Sequence, residues 1–113
     1  MYYIYMLRCG DGSVYTGIAP SIENRMKVHF NGGKNSSKYV ASKGAKALEI
    51  YWECNDRSEA SKLEYRLKKL PKYKKEDLIS GKTDLEILFA GMLDCEVYRT
   101  GDLEKEELKI YKG

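Results

Sequence analysis

The feature that constrains this chain most is a pair of strand-like runs around a glycine-rich turn at the amino terminus. Residues 2–8 and 14–18 are rich in aromatic and β-branched side chains, and Cys-Gly-Asp-Gly-Ser lies between them. Such runs around a turn predict a β-hairpin. We expect Tyr5 to pair directly with Tyr15, with residues 9–11 as the loop. A slip of one residue would send the two rings to opposite faces, so the register decides whether they can act together.

Charge is distributed unevenly along the 113 residues, a length that suits one domain. Residues 1–79 carry 15 Lys and Arg against 9 Asp and Glu, whereas residues 80–113 carry 5 against 8. A basic body with an acidic tail favours an anionic partner for the body. On charge alone, a solvated mixed surface is the simpler interpretation.

The sequence argues against a zinc-binding protein and against a membrane-spanning one. The three cysteines are widely spaced, without a Cys-x-x-Cys pair or a His/Cys cluster, so no zinc-site signature is present. The sequence shows no signal peptide and no apolar run that could span a bilayer. We therefore expect a cytoplasmic protein with reduced thiols and no membrane partner.

Two helices are predicted to carry polar side chains at the border of the core. The first begins after Ser21, a good N-cap, and ends at Gly32. Its predicted buried stripe consists of Ile22, Met26 and Phe30. Arg25 and His29 lie four residues apart on one flank of that stripe. The second helix covers residues 56–70, with Glu64 beside its predicted buried stripe of Ala60, Leu63, Leu67 and Leu70.

The remaining segments are less sharply defined. Residues 34–46 predict a loop with one helical turn near residues 38–42, residues 47–54 a third strand, and residues 72–79 a short basic helix. In residues 80–113, the apolar residues 85–92 could form a helix, or residues 96–98 could pair with 108–111 as short strands; the sequence does not decide between these alternatives. The fold class that we predict is α+β, with a small three-stranded antiparallel sheet, its first strand central, flanked by helices.

This ordered set of residues resembles the GIY-YIG nuclease superfamily, and most closely its small stand-alone bacterial branch. The first motif stands here as Tyr3-Ile4-Tyr5 and the second as Tyr15-Thr16-Gly17. The family's helical arginine, histidine and acidic residue match Arg25, His29 and Glu64 in order. The resemblance covers residues 1–79, predicted as a nuclease-like domain, and leaves residues 80–113 as an acidic extension of uncertain structure.

The departures from the family pattern concern catalytic strength more than fold. The first motif begins with Tyr3 in place of glycine, which is common in the stand-alone branch. Ile18 stands where some members carry a lysine after the second motif. No asparagine matches the one that some repair nucleases place after the acidic helix.

The resemblance implies a metal-dependent endonuclease that hydrolyses phosphodiester bonds in DNA, of the kind that serves repair or recombination. The implied catalytic residues are Tyr5, Tyr15, Arg25, His29 and Glu64. Glu64 would bind Mg²⁺ or Mn²⁺, Arg25 would grip the phosphate, and either Tyr5 or His29 would deprotonate water. The predicted nucleic-acid surface consists of Lys34, Lys38, Lys43, Lys46, Lys68, Lys69 and Lys72.

Two other functions stay open on the sequence. The same fold could serve as a nucleic-acid-binding module with weak cleavage or none. A protein-interaction domain whose basic face meets an acidic partner is the third interpretation. The complete Tyr, Tyr, Arg, His and Glu set favours the enzyme.

Overall fold

A computed structural model describes residues 1–32 and 35–113. The strands are β1 (Tyr2–Cys9), β2 (Val14–Ala19), β3 (Ala45–Cys54) and β4 (Arg99–Thr100). The helices are α1 (Ile22–Asn31), α2 (Lys38–Lys43), α3 (Arg57–Lys68), α4 (Lys72–Ser80) and α5 (Leu85–Phe89), with short 3₁₀ turns at Cys95–Val97 and Lys109–Tyr111. In the part of the chain that is described, no helix has both the length and the apolar character needed to cross a membrane.

The sheet is antiparallel in the order β2-β1-β3-β4, which confirms the α+β class and places β1 between two partners. It has four strands where three were expected. The additional strand is β4, whose Thr100 pairs with Trp52 of β3. Of the two alternatives for residues 80–113, the helix forms as α5. Residues 96–98 do not pair with 108–111, because both segments form 3₁₀ turns and the chain between them joins the sheet instead.

The β1–β2 register differs from the prediction by two residues. Tyr5 pairs with Gly17, and Tyr15 pairs with Leu7. The reason is a longer turn of four residues, between Cys9 and Val14, in which Gly12 takes a φ of 86°. Because side chains alternate with a period of two, this shift leaves Tyr5 and Tyr15 on the same face. The face was predicted correctly, and direct pairing of the two tyrosines was not.

Local capping signals define the helices. The Ser21 side chain accepts from the Asn24 amide at the start of α1, and Gly32 ends that helix at a φ of 65°. Asp56 caps α3 by accepting from the Glu59 amide. These contacts satisfy amide groups that helix ends leave without an intrahelical partner. Start and stop positions therefore follow closely from the sequence.

Two hydrophobic clusters cover the two faces of the sheet. The first includes Ile4 and Met6 of β1 together with Leu63 and Leu67 of α3. The second includes Tyr5 and Leu7 of β1 together with Ile22 and Met26 of α1. Helices α1 and α3 consequently pack on opposite faces, and consecutive β1 residues alternate between them.

Residues 80–113 complete both clusters. Phe89 and Tyr98 join the cluster under α3, whereas Leu108 and Tyr111 join the cluster under α1. The Gly101 amide donates to the Tyr51 carbonyl oxygen at 2.7 Å, and a side chain at position 101 would collide with the Tyr51 ring. The carboxyl-terminal region thus packs directly on the central sheet. The division of the chain at residue 79 stays a sequence prediction.

Candidate active site

Three aromatic rings meet on the α1 face of the hairpin. The centroids of the Tyr5 and Tyr15 rings lie 6.2 Å apart. The His29 ring from α1 approaches both edge-on, at 5.6 Å from Tyr5 and 5.7 Å from Tyr15. The Tyr5 hydroxyl oxygen lies 2.7 Å from Nε2 of His29, within hydrogen-bond distance. The alternation of side chains along β1 and β2 and the periodicity of α1 therefore bring three polar rings together.

His29 is more deeply placed than its position on the helix suggested. Only 2% of the residue is exposed, whereas Phe30, predicted to be buried, is half-buried and packs against Tyr111 at 4.7 Å. Burial, assisted by the Arg25 charge, lowers the pKa of His29 to about 4. The imidazole is consequently neutral at pH 7 and can accept a proton through one ring nitrogen. The expectation of a border histidine is wrong because polar partners satisfy the ring inside the core.

Tyr5 is a buried phenol with a raised pKa. Burial raises its pKa to about 12, the nearby Arg25 guanidinium partly offsets this, and Tyr15 and Glu64 oppose that offset. Arg25 also donates through Nη1 to the Asn35 carbonyl oxygen at 3.0 Å. The positive charge of the guanidinium favours negative charge on the phenol oxygen. Arg25 is therefore near enough for its charge to act on the pKa of both Tyr5 and His29.

Glu64 lies on α3, which packs on the face of the sheet opposite α1. Its negative charge nevertheless contributes to the raised pKa of Tyr5, as the last of the named effects. The carboxylate pairs with Lys68 at 3.3 Å, and 23% of the Glu64 side chain is exposed. Glu64 is thus the peripheral member of the set.

The donor set suits a loosely held hard cation. Among residues 1–32 and 35–113, no group of three or more His, Cys, Asp or Glu side chains could hold a metal ion. A single accessible carboxylate fits Mg²⁺ or Mn²⁺, since Mg²⁺ in particular keeps several waters and takes substrate oxygens as further ligands. Glu64 is the residue of the site with this chemistry.

Gly17 belongs to the site although it carries no side chain. A Cβ at this position would lie 2.5 Å from the Tyr5 hydroxyl oxygen, 2.7 Å from its Cζ and 3.0 Å from Cε2 of Tyr15. The two phenols therefore fit only because position 17 is glycine. The glycine of the second sequence motif has a steric explanation in this contact.

A family model described as the GIY-YIG catalytic domain matches residues 1–77. The chain belongs to the GIY-YIG family. Relatives of this GIY-YIG protein include a UPF0213 protein of Fusobacterium nucleatum subsp. nucleatum, 43% identical over 79 residues that cover 70% of this chain and 77% of the relative. A UPF0213 protein of Yersinia enterocolitica is 40% identical over 79 residues, covering 70% of this chain and 79% of the relative.

A solved structure is also similar to the GIY-YIG chain. It is the solution NMR structure of a UPF0213 protein from Bacillus halodurans, 38% identical in sequence. The match covers 73% of this chain and 86% of that chain, with a TM-score of 0.47.

Two residues that sequence reasoning missed contact the GIY-YIG site. The Ser36 hydroxyl oxygen lies 2.9 Å from Nδ1 of His29. The Tyr39 ring of α2 stacks on Tyr15 with a centroid distance of 5.9 Å. Both lie in the segment interpreted as a basic loop, whose composition carries no signal for contacts with a distant hairpin. Gly17 had such a signal, because a glycine inside a strand often marks a close approach.

The predicted lysine surface is exposed wherever the structure describes it. Lys34 lies outside the described residues; the exposed members are Lys38, Lys43, Lys46, Lys68, Lys69 and Lys72. Four of the six have local partners, one of which is Lys69, whose Nζ lies over the Tyr65 ring at 4.6 Å from the centroid. Lys43 pairs with Asp11 at 3.5 Å, Lys68 pairs with Glu64, and Lys72 donates to the Gly12 carbonyl oxygen at 3.1 Å. Among these, Lys68 is the lysine that contacts a member of the predicted catalytic set, Glu64.

Proposed function

We propose that this GIY-YIG protein is a metal-dependent endonuclease that hydrolyses phosphodiester bonds in DNA. The observation that carries the proposal is the 2.7 Å contact between the Tyr5 hydroxyl and His29 Nε2, packed against Tyr15 and lying beside Arg25. A neutral imidazole that is hydrogen-bonded to a buried phenol can accept the proton of that phenol. A guanidinium can bind a phosphate through two parallel hydrogen bonds. The family assignment supports a nuclease, and the DNA substrate and the metal are part of the proposal.

The proposed reaction uses each polar side chain for one task. Tyr5 takes a proton from the attacking water as its own proton passes to Nε2 of His29. The water oxygen forms a new bond to phosphorus, the bond to the leaving oxygen breaks, and that oxygen takes up a proton from water. Arg25 and the Tyr15 hydroxyl orient the phosphate and stabilise its negative charge.

Because the pKa of Tyr5 is raised, Tyr5 needs His29 as a partner for proton transfer. A phenol with a pKa of about 12 is a poor base or acid by itself at pH 7. Transfer of its proton to a neutral imidazole of low basicity is also uphill, so the reaction needs positive charge near the scissile phosphate that lowers the pKa of the attacking water. Mg²⁺, for which Glu64 offers a carboxylate ligand, would add positive charge at the scissile phosphate when bound.

Cleavage of supercoiled plasmid with Mg²⁺, with an EDTA control, tests the proposal. Arg25→Ala should lower the rate constant by about 100-fold or more, the loss typical of removing a donor to a developing oxyanion. Lys27→Ala is the matched control, because Lys27 is an exposed cation of the same helix. Nicking that is equally fast in both variants would refute the phosphate-clamp role.

The metal role is tested separately. Glu64→Gln should abolish Mg²⁺-dependent cleavage while leaving the protein folded. Glu59→Gln is the control, because Glu59 also belongs to α3 and pairs with a lysine of that helix, Lys62, at 3.6 Å. Full activity of Glu64→Gln would overturn the metal assignment.

A wild type that binds DNA in a salt-dependent way without cutting it would support the binding module instead.

A further inference from the structure

The second nitrogen of the site histidine has a partner of its own. His29 contacts Tyr5 through Nε2 at 2.7 Å and Ser36 Oγ through Nδ1 at 2.9 Å. The three side chains form a continuous chain of hydrogen bonds from a buried phenol, through a buried imidazole, to a half-buried hydroxyl. Such outer partners of functional imidazoles orient the ring and decide which nitrogen carries the proton.

The backbone around Ser36 is anchored on both sides. Arg25 donates to the carbonyl oxygen of Asn35, and Ser37 caps α2 by accepting from the Val40 amide at 3.1 Å. Ser36 lies between these anchors, so its hydroxyl is held in place against the His29 ring. This placement does not depend on the side chain of Ser36 itself.

Electrostatics select one direction for the hydrogen bonds that join Tyr5, His29 and Ser36. A neutral imidazole has one N–H, so either Nδ1 donates to Ser36 or Nε2 donates to Tyr5. A phenol is a much stronger acid than a serine hydroxyl and is the better donor to a ring nitrogen. The positive charge of Arg25 favours the ionised form of Tyr5, which makes the phenol a better hydrogen-bond donor. Both facts direct the Tyr5 O–H toward Nε2 and leave the imidazole proton on Nδ1.

We propose that Ser36 is a positioning residue that accepts a hydrogen bond from Nδ1–H of His29 and thereby keeps Nε2 available for the proton of Tyr5. Its effect on cleavage rests on the proposed function, whereas its effect on the imidazole does not. Without the Ser36 hydroxyl, Nδ1–H of the buried ring would lose this acceptor. The ring would then gain by moving its proton to Nε2 and donating to Tyr5, which blocks proton transfer from the phenol.

The imidazole proton can be located by NMR without an assignment problem, because the chain has one histidine. Nitrogen-15 spectra of histidine-labelled protein at pH 7 should show an Nδ1–H, Nε2-acceptor ring in the wild type. Ser36→Ala should shift the ring toward the Nε2–H form, and Ser36→Thr, which keeps the hydroxyl, should preserve the wild-type pattern. Ser42→Ala, an exposed serine of α2, is the matched control.

Two spectroscopic results would overturn the proposal. One is an Nε2–H ring in the wild type. The other is an unchanged Nδ1–H ring in a folded Ser36→Ala variant. Amide spectra of each variant report whether the fold is intact, and Ser36→Thr reports on the hydroxyl even if the alanine variant is perturbed.

Kinetics then connect the imidazole to cleavage. Ser36→Ala should lower kcat by about 10- to 100-fold with little change in KM, and Ser36→Thr should recover most of it. A shifted ring with unchanged kcat would refute the positioning role. If the wild type does not cleave DNA but Ser36→Ala still shifts the ring, the proposed function fails and the assignment of the proton stands.

Discussion

Alanine at Gly17 would test whether the two phenols are held by the backbone of β2. The added methyl group would lie 2.5 Å from the Tyr5 hydroxyl oxygen and 2.7 Å from its Cζ. A flexible side chain could move aside at little cost. Tyr5 is only 1% exposed, and its hydroxyl contacts His29, so the ring has little room to move.

The expected loss of stability follows from these contacts. Overpacking a well-filled core by one methyl group costs about 1–3 kcal/mol. Breaking the hydrogen bond between Tyr5 and His29 adds about 0.5–1.5 kcal/mol. Gly17→Ala should therefore lower the free energy of unfolding by about 1.5–4.5 kcal/mol in all, which corresponds to a fall in Tm of roughly 6–18 °C for a domain of this size.

Urea denaturation and plasmid cleavage would measure the two consequences. The variant should lose cleavage well below its Tm, because the phenol is displaced even where the protein is folded. Gly12→Ala is the control, since a side chain there meets nothing within 4 Å and is strained only by a φ of 86°. Its cost should be about 1–2 kcal/mol with cleavage intact.

A double-mutant cycle identifies the origin of the strain. In a Tyr5→Phe background the 2.5 Å contact with the hydroxyl disappears, so the cost of Gly17→Ala should fall by about 0.5–3 kcal/mol. A Gly17→Ala variant with wild-type stability and activity would refute the steric reasoning. An unchanged penalty in the phenylalanine background would show that the strain lies elsewhere.

Two further predictions concern the buried histidine and the carboxyl-terminal region. Because the folded pKa of His29 is about 4 and the ordinary value is 6.5, the unfolded state takes up the proton first as pH falls. Stability should decline by about 3 kcal/mol between pH 6.5 and 4, and His29→Gln should remove this part of the pH dependence in urea melts. An identical pH profile in both proteins would contradict the assignment. Leu108→Ala, at 0% exposure, should cost about 2–5 kcal/mol, whereas Ile110→Ala, at 74% exposure, should cost less than about 0.5 kcal/mol. Equal melting temperatures for these two variants would show that residues 80–113 do not stabilise the core.

The parts of the fold that sequence predicted correctly are those set by near neighbours. Ser21 and Asp56 cap helices through contacts three residues away, and Gly32 ends α1 because it adopts a positive φ. The hairpin and its shared tyrosine face follow from alternation along two short runs. The ordered set from Tyr5 to Glu64 could be recognised in the sequence because each residue occupies the expected position on a predicted strand or helix.

The remaining features depend on contacts between distant parts of the chain. His29 was expected at the border of the core, and it is buried because Tyr5 and Ser36 satisfy its two ring nitrogens. The two-residue shift in the hairpin came from a turn longer than the expected loop. The fourth strand depends on Gly101, which lets the carboxyl-terminal region run across Tyr51.

The sequence alone determined the amino-terminal hairpin, the capped ends of α1 and α3, and the ordered set of residues that resembles the family. Those properties depend on side chains a few positions apart, where propensity and capping act. The tertiary structure decided which groups meet: Gly17 lies against the two phenols, and Ser36 contacts the imidazole. Their proximity results from tertiary packing, and local sequence patterns do not encode such distances.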